Sequence, residues 1–139
     1  MEWFEERLET DEGRAVRIGV TAKLASVRSP FQTIEVFDTP AFGRMLVHDG
    51  VIMATERDEA HYHEMIVHVP LAVHPAPRRV LVIGGGDGGT VREVCRHTGV
   101  EEIDLCEIDE QVVKVCREFL PALTRGFADP RVSLHFADG

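Results

Sequence analysis

The sequence has few cysteines and no long apolar run, and each shortage excludes a class of protein. Its three cysteines, Cys95, Cys106 and Cys116, stand ten or eleven positions apart, which is neither a zinc-ligand spacing nor a disulfide framework. We therefore expect buried free thiols. No apolar run approaches the length of a membrane span, and the acidic, amphipathic start lacks the pattern of a signal peptide. A cytoplasmic protein without membrane contact is the expectation.

Positive charge is also scarce. The 139 residues include 15 lysines and arginines against 24 aspartates and glutamates, so the formal net charge is −9. A protein this acidic is repelled by phosphate backbones and by anionic lipid surfaces. Nucleic-acid and membrane partners are therefore not expected, whereas a cationic substrate fits the charge.

The most informative stretch is Val80–Glu93, with the sequence VLVIGGGDGGTVRE. The uninterrupted apolar run Val80–Ile83 predicts a buried parallel strand. The glycine-rich segment Gly84–Gly89 predicts a turn, and Thr90–His97 has the composition of a helix. A strand, a glycine loop and a helix start in this order form an arrangement that binds nucleotides.

Two further features strengthen this interpretation. Gly84, Gly86 and Gly89 satisfy the G-x-G-x-x-G pattern, and Glu107 ends the next apolar segment, Ile103–Glu107. A carboxylate at the end of that second strand can accept hydrogen bonds from ribose hydroxyls. The glycine pattern alone is weak, but together these features predict a nucleoside site.

Asp87, inside the loop, bears on which nucleotide is bound. A fixed carboxylate would repel a pyrophosphate and attract a cation such as a sulfonium or an ammonium group. The loop therefore favours an S-adenosylmethionine-type ligand over NAD or ATP. The alternative is that Asp87 merely caps the following helix, because Asp is a common N-cap residue.

The chain divides into two halves of different pattern. Apolar and polar residues alternate from about Arg14 to Thr55, and Asp49-Gly50 is a hairpin signal; this pattern predicts a small antiparallel β module. A short lead-in, Met1–Arg7, precedes it, with Trp3 and Phe4 as packing anchors. After the break His74–Pro77, strands and helices alternate, which predicts an α/β fold containing the first half of a doubly wound, Rossmann-like sheet of the methyltransferase type. The predicted domains are a β module at 1–55, a connecting helix and linker at 56–77, and a partial cofactor-binding domain at 78–139.

The connecting helix carries several histidines. His61, Glu64 and His68 share helical spacing, but no HExxH pattern or thiolate completes a tetrahedral set, and no metal site is predicted. Tyr62 and His63 lie at the helix start and are expected to project toward the glycine loop, where they can hydrogen-bond amines or carry a proton. On the residues alone, a partly buried tyrosine with a satisfied hydroxyl explains Tyr62 equally well.

The motif GGGDGG between VLVI and TVRE resembles the signature of the spermidine synthase (polyamine aminopropyltransferase) family. The upstream segments SPFQTIEVFDT, FGRMLVHDG, TERDE and YHEMIVHVPL resemble the same family in its order and at its spacing. The resemblance extends from about Trp3 to Gly139.

The resemblance implies transfer of an aminopropyl group from decarboxylated S-adenosylmethionine to putrescine, giving spermidine and methylthioadenosine. It also implies a homodimer or higher homo-oligomer and no tightly bound cofactor. Asp87 would hold the amino group of the aminopropyl arm, and Tyr62 would orient the attacking amine; these two are the expected catalytic residues. The expected cofactor-binding residues are Gln32, His63, Gly84, Gly86, Asp87, Glu107, Asp138 and Gly139, with Glu107 at the ribose and Asp138 at the adenine.

One part of the family pattern is missing. In the family further strands and helices follow the Asp-Gly pair and supply an aspartate as catalytic base, whereas this sequence stops at Gly139. Two alternatives therefore stay open: a methyltransferase that uses intact S-adenosylmethionine, and an adenosyl-binding fragment that lacks catalysis. A carboxylate-binding arginine near the loop would favour the intact cofactor, and Arg92 leaves that point unsettled.

Overall fold

The computed structural model describes residues 1–6, 13 and 15–139. The chain forms two compact units, Met1–Asp58 and Glu59–Gly139, which are described separately below. Arg7 and Arg14, at the ends of two predicted segments, lie outside the described residues.

The first unit is a β module. Its described strands are β1 (Glu2–Glu5), β2 (Arg17–Val20), β3 (Ala22–Arg28), β4 (Thr33–Thr39), β5 (Gly43–His48) and β6 (Val51–Thr55). β1 pairs antiparallel with β2, and β3 to β6 form a four-stranded antiparallel sheet in chain order. The predicted antiparallel module is therefore confirmed.

The core of this module includes side chains from both faces of its central strands. Every second side chain of a strand lies on one face, and Ile18, Val20, Phe37, Met45 and Val47 form one buried cluster. Their neighbours Val36 and Leu46 are fully buried as well. The predicted hairpin at Asp49-Gly50 joins β5 to β6, with φ of 49° and 85° at the two turn residues. Two positive φ angles are what a type I′ turn requires, and Asp followed by Gly tolerates them.

The start of the module differs from the expected lead-in. Glu2–Glu5 is a strand in register with β2, and the rings of Phe4 and Phe37 lie 5.3 Å apart. Trp3 is instead 57% exposed, with the Arg17 guanidinium over its ring. The pairing escaped prediction because so short a strand carries little periodic signal. β3 escaped because most of its side chains are exposed.

The second unit alternates helices and strands. Its elements are α1 (Glu59–Val73), β7 (Arg79–Ile83), α2 (Gly89–Cys95), β8 (Glu102–Glu107), α3 (Glu110–Phe119), α4 (Pro121–Thr124), a 3₁₀ turn (Arg125–Ala128) and β9 (Val132–Phe136). The helix that the sequence suggested as a connection lies within this unit. No helix in the described part of the chain is long and apolar enough to cross a membrane.

The sheet of the second unit is parallel, in the order β7-β8-β9. Ile103 and Leu105 of β8 pack against Val91 and Val94 of α2, and alternate residues of β7 join them. Ile83, on the opposite face of β7, is 68% exposed. The apolar run of β7 is thus buried on one face only, which corrects the expectation of a fully buried strand. The reason is that the core cluster around α2 covers only one face of this strand.

α2 spans Gly89–Cys95, close to the helix predicted at Thr90–His97. α3 is capped by Asp109, whose Oδ1 accepts from the Gln111 N–H at 3.1 Å, and it stops at Phe119, before Pro121. Pro121 then begins a further short helix rather than a loop, because proline suits the first position of a helix.

Candidate functional site

The candidate site is built around the loop that leaves the carboxyl end of β7. The Gly84 N–H donates to the Cys106 carbonyl at 2.8 Å, which ties the loop to β8, and the Gly88 N–H donates to the Gly85 carbonyl at 2.9 Å. Gly84, Gly85 and Gly88 have φ of 76°, 77° and 87°. L side chains rarely adopt this region, so the glycine-rich composition is a requirement of the backbone path.

Glu107, expected at the ribose, binds the loop itself. One carboxylate oxygen accepts from the Gly86 N–H and the other from the Asp109 N–H, both at 2.9 Å. The side chain is buried. A Cβ on Gly86 would lie 2.9 Å from a Glu107 carboxylate oxygen. The middle glycine of the motif therefore allows the loop to approach this carboxylate.

Asp87 links the loop to two other elements. Its Oδ1 accepts from the Gly89 N–H at 2.7 Å, and it lies 3.3 Å from Nε2 of His63 on α1. The Asp87 side chain is 19% exposed, against 3% for His63. The N-cap of α2 is Gly88, without a side-chain cap, so Asp87 is not the N-cap residue of the capping alternative, although it accepts from the first residue of the helix. Its contact with a buried imidazole is an addition that capping does not explain.

His63 lies between two carboxylates. Its Nδ1–H donates to Glu59 Oε2 at 2.6 Å, while Nε2 faces Asp87. Burial lowers the pKa of His63, but hydrogen bonds and charges from Asp87 and Glu59 outweigh it and raise the pKa above its ordinary value. A Cβ on Gly89 would lie 2.3–2.6 Å from atoms of this imidazole. The third glycine of the motif, Gly89, thus lies directly against the His63 ring and leaves no space for a Cβ.

Next to His63 lies a group of three further charged side chains, Glu59, Arg92 and Glu93. Two guanidinium nitrogens of Arg92 each donate to one Glu59 oxygen at 2.8 Å, and Nε donates to Glu93 at 2.8 Å. All three side chains are buried. Burial opposes ionisation of Glu59 and Glu93, but their hydrogen-bonded cations hold both pKa values below the usual range. Arg92 is therefore engaged by the protein rather than directed at a ligand.

The comparisons with known proteins fit this geometry. A family model described as the spermine/spermidine synthase domain matches residues 59–139, and a model described as the spermidine synthase tetramerisation domain matches residues 2–56. The chain belongs to the spermine/spermidine synthase family. The predicted family is thereby confirmed.

Relatives within this family match almost the whole chain. A polyamine aminopropyltransferase of Leptospira biflexa is 52% identical over 99% of this chain and 49% of its own length. Spermidine synthase 1 of Hyoscyamus niger is 51% identical over 99% of this chain and 44% of its own length. A crystal structure of spermidine synthase in complex with the transition state analogue AdoDATO superposes with a TM-score of 0.95 at 41% identity, covering 99% of this chain and 48% of that one. The predicted fold is confirmed, and the chain spans about half the length of the curated relatives it matches.

The remaining site residues expected from the family lie at several positions. Tyr62 is 63% exposed, and its ring meets His63 edge-on with centroids 5.3 Å apart. Asp138 is exposed beyond β9. A Cβ on Gly139 would lie 2.8 Å from Ile83, so this glycine crosses the end of β7. Gln32 belongs to the first unit, where its backbone binds the Ser29 hydroxyl.

Glu59 and Arg92 lie within the segments TERDE and TVRE, but the family motifs did not reveal that the two residues form a pair. Glu59 stands four residues before His63 on one helix, and this spacing was the signal available for it. Arg92 is 33 positions from Glu59, so the sequence carries no local sign of that pair.

The histidine-rich helix contributes to a group that differs from the set His61, Glu64 and His68, from which no metal site was predicted. Ligand atoms of Glu64, His68 and Glu93 lie within 4.8 Å of one another, without His61. Arg96 Nη1 lies 2.6 Å from Glu93 and 3.4 Å from Glu64. A protein cation thus already bridges these two carboxylates.

Proposed function

We propose that the glycine loop of this chain binds decarboxylated S-adenosylmethionine for transfer of its aminopropyl group to putrescine, giving spermidine and methylthioadenosine. The observation that carries the proposal is a carboxylate, Asp87, fixed in the loop of a family whose relatives are named for this transfer. The solved relative bound to a transition state analogue supports it.

Asp87 suits a cationic ligand for a physical reason. Its Oδ1 is anchored by a backbone N–H and by His63, so the carboxylate is held in one orientation before any ligand arrives. A preorganised carboxylate at a partly desolvated position attracts an ammonium group more strongly than a mobile one in water. Asp87 would hold the amino group of the aminopropyl arm.

Arg92 favours the decarboxylated cofactor over the intact one. A methyltransferase must accommodate the carboxylate of S-adenosylmethionine, and a nearby arginine is a natural partner for it. Here the Arg92 guanidinium is buried and donates to Glu59 and Glu93. Removing it from both carboxylates would leave two buried charges without their partner. The methyltransferase alternative is therefore disfavoured.

The other residues take the roles expected from the family. Glu107, which organises the loop, would bind the ribose through its remaining lone pairs, and Asp138 would accept from the adenine amino group. Tyr62, exposed at the start of α1, would orient the attacking amine. Gln32, His63, Gly84, Gly86 and Gly139 complete the proposed cofactor set.

The proposed reaction needs no covalent intermediate with the protein. The neutral amine nitrogen attacks the methylene carbon next to the sulfonium, a C–N bond forms, and the C–S bond breaks with its electron pair going to sulfur. The nitrogen then loses a proton to a base. Alignment of nitrogen, carbon and sulfur is the main requirement, because the sulfonium is already a good leaving group. The residues named here bind and orient; none is proposed as the base.

The first unit has a separate proposed role. Its match to a tetramerisation domain supports a homo-oligomer assembled through residues 2–56. The cytoplasm is proposed as its compartment from the sequence alone. The matched segment coincides with the β module, which has its own apolar core. Size-exclusion chromatography with light scattering tests this part, and a monomer at all concentrations would contradict it.

The test of the cofactor site is calorimetric titration of the 139-residue chain with methylthioadenosine and with decarboxylated S-adenosylmethionine. Asp87→Asn should weaken the charged ligand about tenfold or more and leave the neutral one nearly unchanged, since only the former needs the carboxylate. Asp49→Asn is the matched control, because it makes the same change at the β5–β6 turn. Equal weakening of both ligands would contradict the role of Asp87.

A turnover assay separates the proposal from the fragment alternative. Spermidine formed from putrescine by this chain would support an active enzyme. Ligand binding without any turnover would favour an adenosyl-binding chain that lacks the base.

A further inference from the structure

An alternating series of charges extends from the loop into the unit. Asp87 lies 3.3 Å from His63, His63 lies 2.6 Å from Glu59, and Glu59 receives two 2.8 Å hydrogen bonds from Arg92. Side-chain exposure is 19% at Asp87 but 3% at His63 and 8% at Glu59 and Arg92. The most exposed member of the series is therefore the one in the loop.

We propose that Glu59 and Arg92 are positioning residues, which hold His63 as an imidazolium against Asp87 and so fix the Asp87 carboxylate for the cationic part of the ligand. This inference rests on the proposed function, because it requires Asp87 to meet a cation. It adds to the place of His63 in the proposed cofactor set an action through Asp87, since the two ring nitrogens face the carboxylates of Glu59 and Asp87.

The geometry explains why the imidazole is doubly protonated. A neutral imidazole has one N–H, so one of its two carboxylate contacts would set a nitrogen lone pair against an anionic oxygen. With both nitrogens protonated, each contact becomes a charge-assisted attraction. The raised pKa of His63 agrees with this arrangement.

Glu59 is held more firmly than a surface carboxylate. The two parallel hydrogen bonds from Arg92 fix the plane of the carboxylate, and the helical spacing of four residues brings it beneath His63. The titratable or charged groups near the imidazole and its loop include Glu59, Tyr62, Asp87, Arg92, Glu93, Glu107 and Cys116.

Glu59→Gln tests the inference by removing one of the two carboxylates that contact His63. Asp87 still favours the second proton, but without Glu59 the pKa of His63 should fall and the ring loses its anchor at Nδ1. A loss of affinity confined to the charged ligand then reports the orientation of Asp87. We expect affinity for decarboxylated S-adenosylmethionine to fall about tenfold or more, and affinity for methylthioadenosine to stay within about twofold.

Two further measurements keep the test decisive. Proton NMR of His63 in the ligand-free chain should show a lower titration midpoint in Glu59→Gln than in the unmodified protein. Glu59→Asp keeps a charge near Arg92 but withdraws the carboxylate from the imidazole, and it should give the same selective loss if the glutamine variant fails to fold. Glu64→Gln, on the exposed part of the same helix, is the matched control and should change neither quantity.

The outcomes distinguish the two proposals. If the unmodified chain prefers the charged ligand and folded Glu59 variants keep that preference, the positioning role is overturned while the proposed function stands. If the unmodified chain binds neither ligand, the proposed function fails. The NMR titration then decides the local arrangement, and an unchanged His63 midpoint in both Glu59 variants overturns it.

Discussion

The two units use ion pairs of similar length in different settings. In the β module Lys23 and Glu35 meet at 2.7 Å, with side-chain exposures of 51% and 17%. In the α/β unit Arg92 and Glu59 meet at 2.8 Å, with both side chains 8% exposed. Distance alone would rank the two pairs as equals. Burial separates them, because water screens the first pair and is excluded from the second.

This difference shows which unit carries the desolvation cost of buried charges. Exposed pairs can be lost cheaply, whereas a buried pair is costly to desolvate and costlier to break. The β module has its apolar core and places the Lys23–Glu35 pair at its surface. The α/β unit buries charges beside its glycine loop, where the proposed function would need an oriented carboxylate.

Removal of Arg92 should have the largest effect. Arg92→Met leaves Glu59 and Glu93 buried without their shared cation, and we expect the free energy of unfolding of the second unit to fall by about 3–5 kcal/mol. Lys23→Met should lower that of the first unit by less than about 1 kcal/mol. Urea unfolding followed by helical circular dichroism reports the second unit, because the described helices all lie there.

The β module can be followed at the same time by the fluorescence of Trp3, the chain's single tryptophan. Similar losses of stability in the two variants would contradict the distinction between buried and exposed pairs.

Displacing the imidazole should have the next largest effect. Gly89→Ala places a Cβ within 2.6 Å of His63 ring atoms, and the ring must leave its position between the carboxylates. We expect a loss of about 1–3 kcal/mol in the second unit, as for other overpacked positions. Gly99→Ala is the control, because a Cβ there meets no atom within 4 Å. If both variants unfold at the same urea concentration, His63 does not pack as described.

The smallest expected effect is a dependence on pH. The pKa of His63 is raised in the folded state, so its stabilisation is complete below the ordinary value of 6.5 and is lost as pH rises through the raised pKa. Stability of the second unit should therefore decline as pH increases above 6.5. His63→Gln should flatten that decline, and unfolding midpoints measured across this range provide the check. A decline of equal slope in His63→Gln would assign it to other groups.

The sequence predicted those features that depend on local chemistry. Glycine spacing placed the loop, the Asp49-Gly50 pair placed a hairpin, and alternation placed the antiparallel module. It failed where structure depends on distant partners. The apolar run of β7 could not reveal which face is covered, and the exposed side chains of β3 gave no pattern.

The site followed the same rule. Asp87 and Glu107 could be named as candidates because the motif fixes their positions along the chain, but the protein groups that they contact could not. The loop amides that bind Glu107 follow from backbone geometry, and Arg92 meets Glu59 across 33 positions. Only the spacing between Glu59 and His63 was local enough to be noticed in advance.

The pairing of Glu59 with Arg92 also restricts the order in which substitutions can accumulate. Loss of either residue alone leaves its partner charged in a buried position. Loss of both removes this pair of charges together and should cost less than the two single losses combined, because Glu93 keeps Arg96 and His63 keeps Asp87. Replacement of both residues, one after the other, therefore passes through a destabilised protein unless a nearby substitution compensates for the first change. A single substitution in this buried group should therefore destabilise the protein more than the net contribution of the ion pair to folding would suggest.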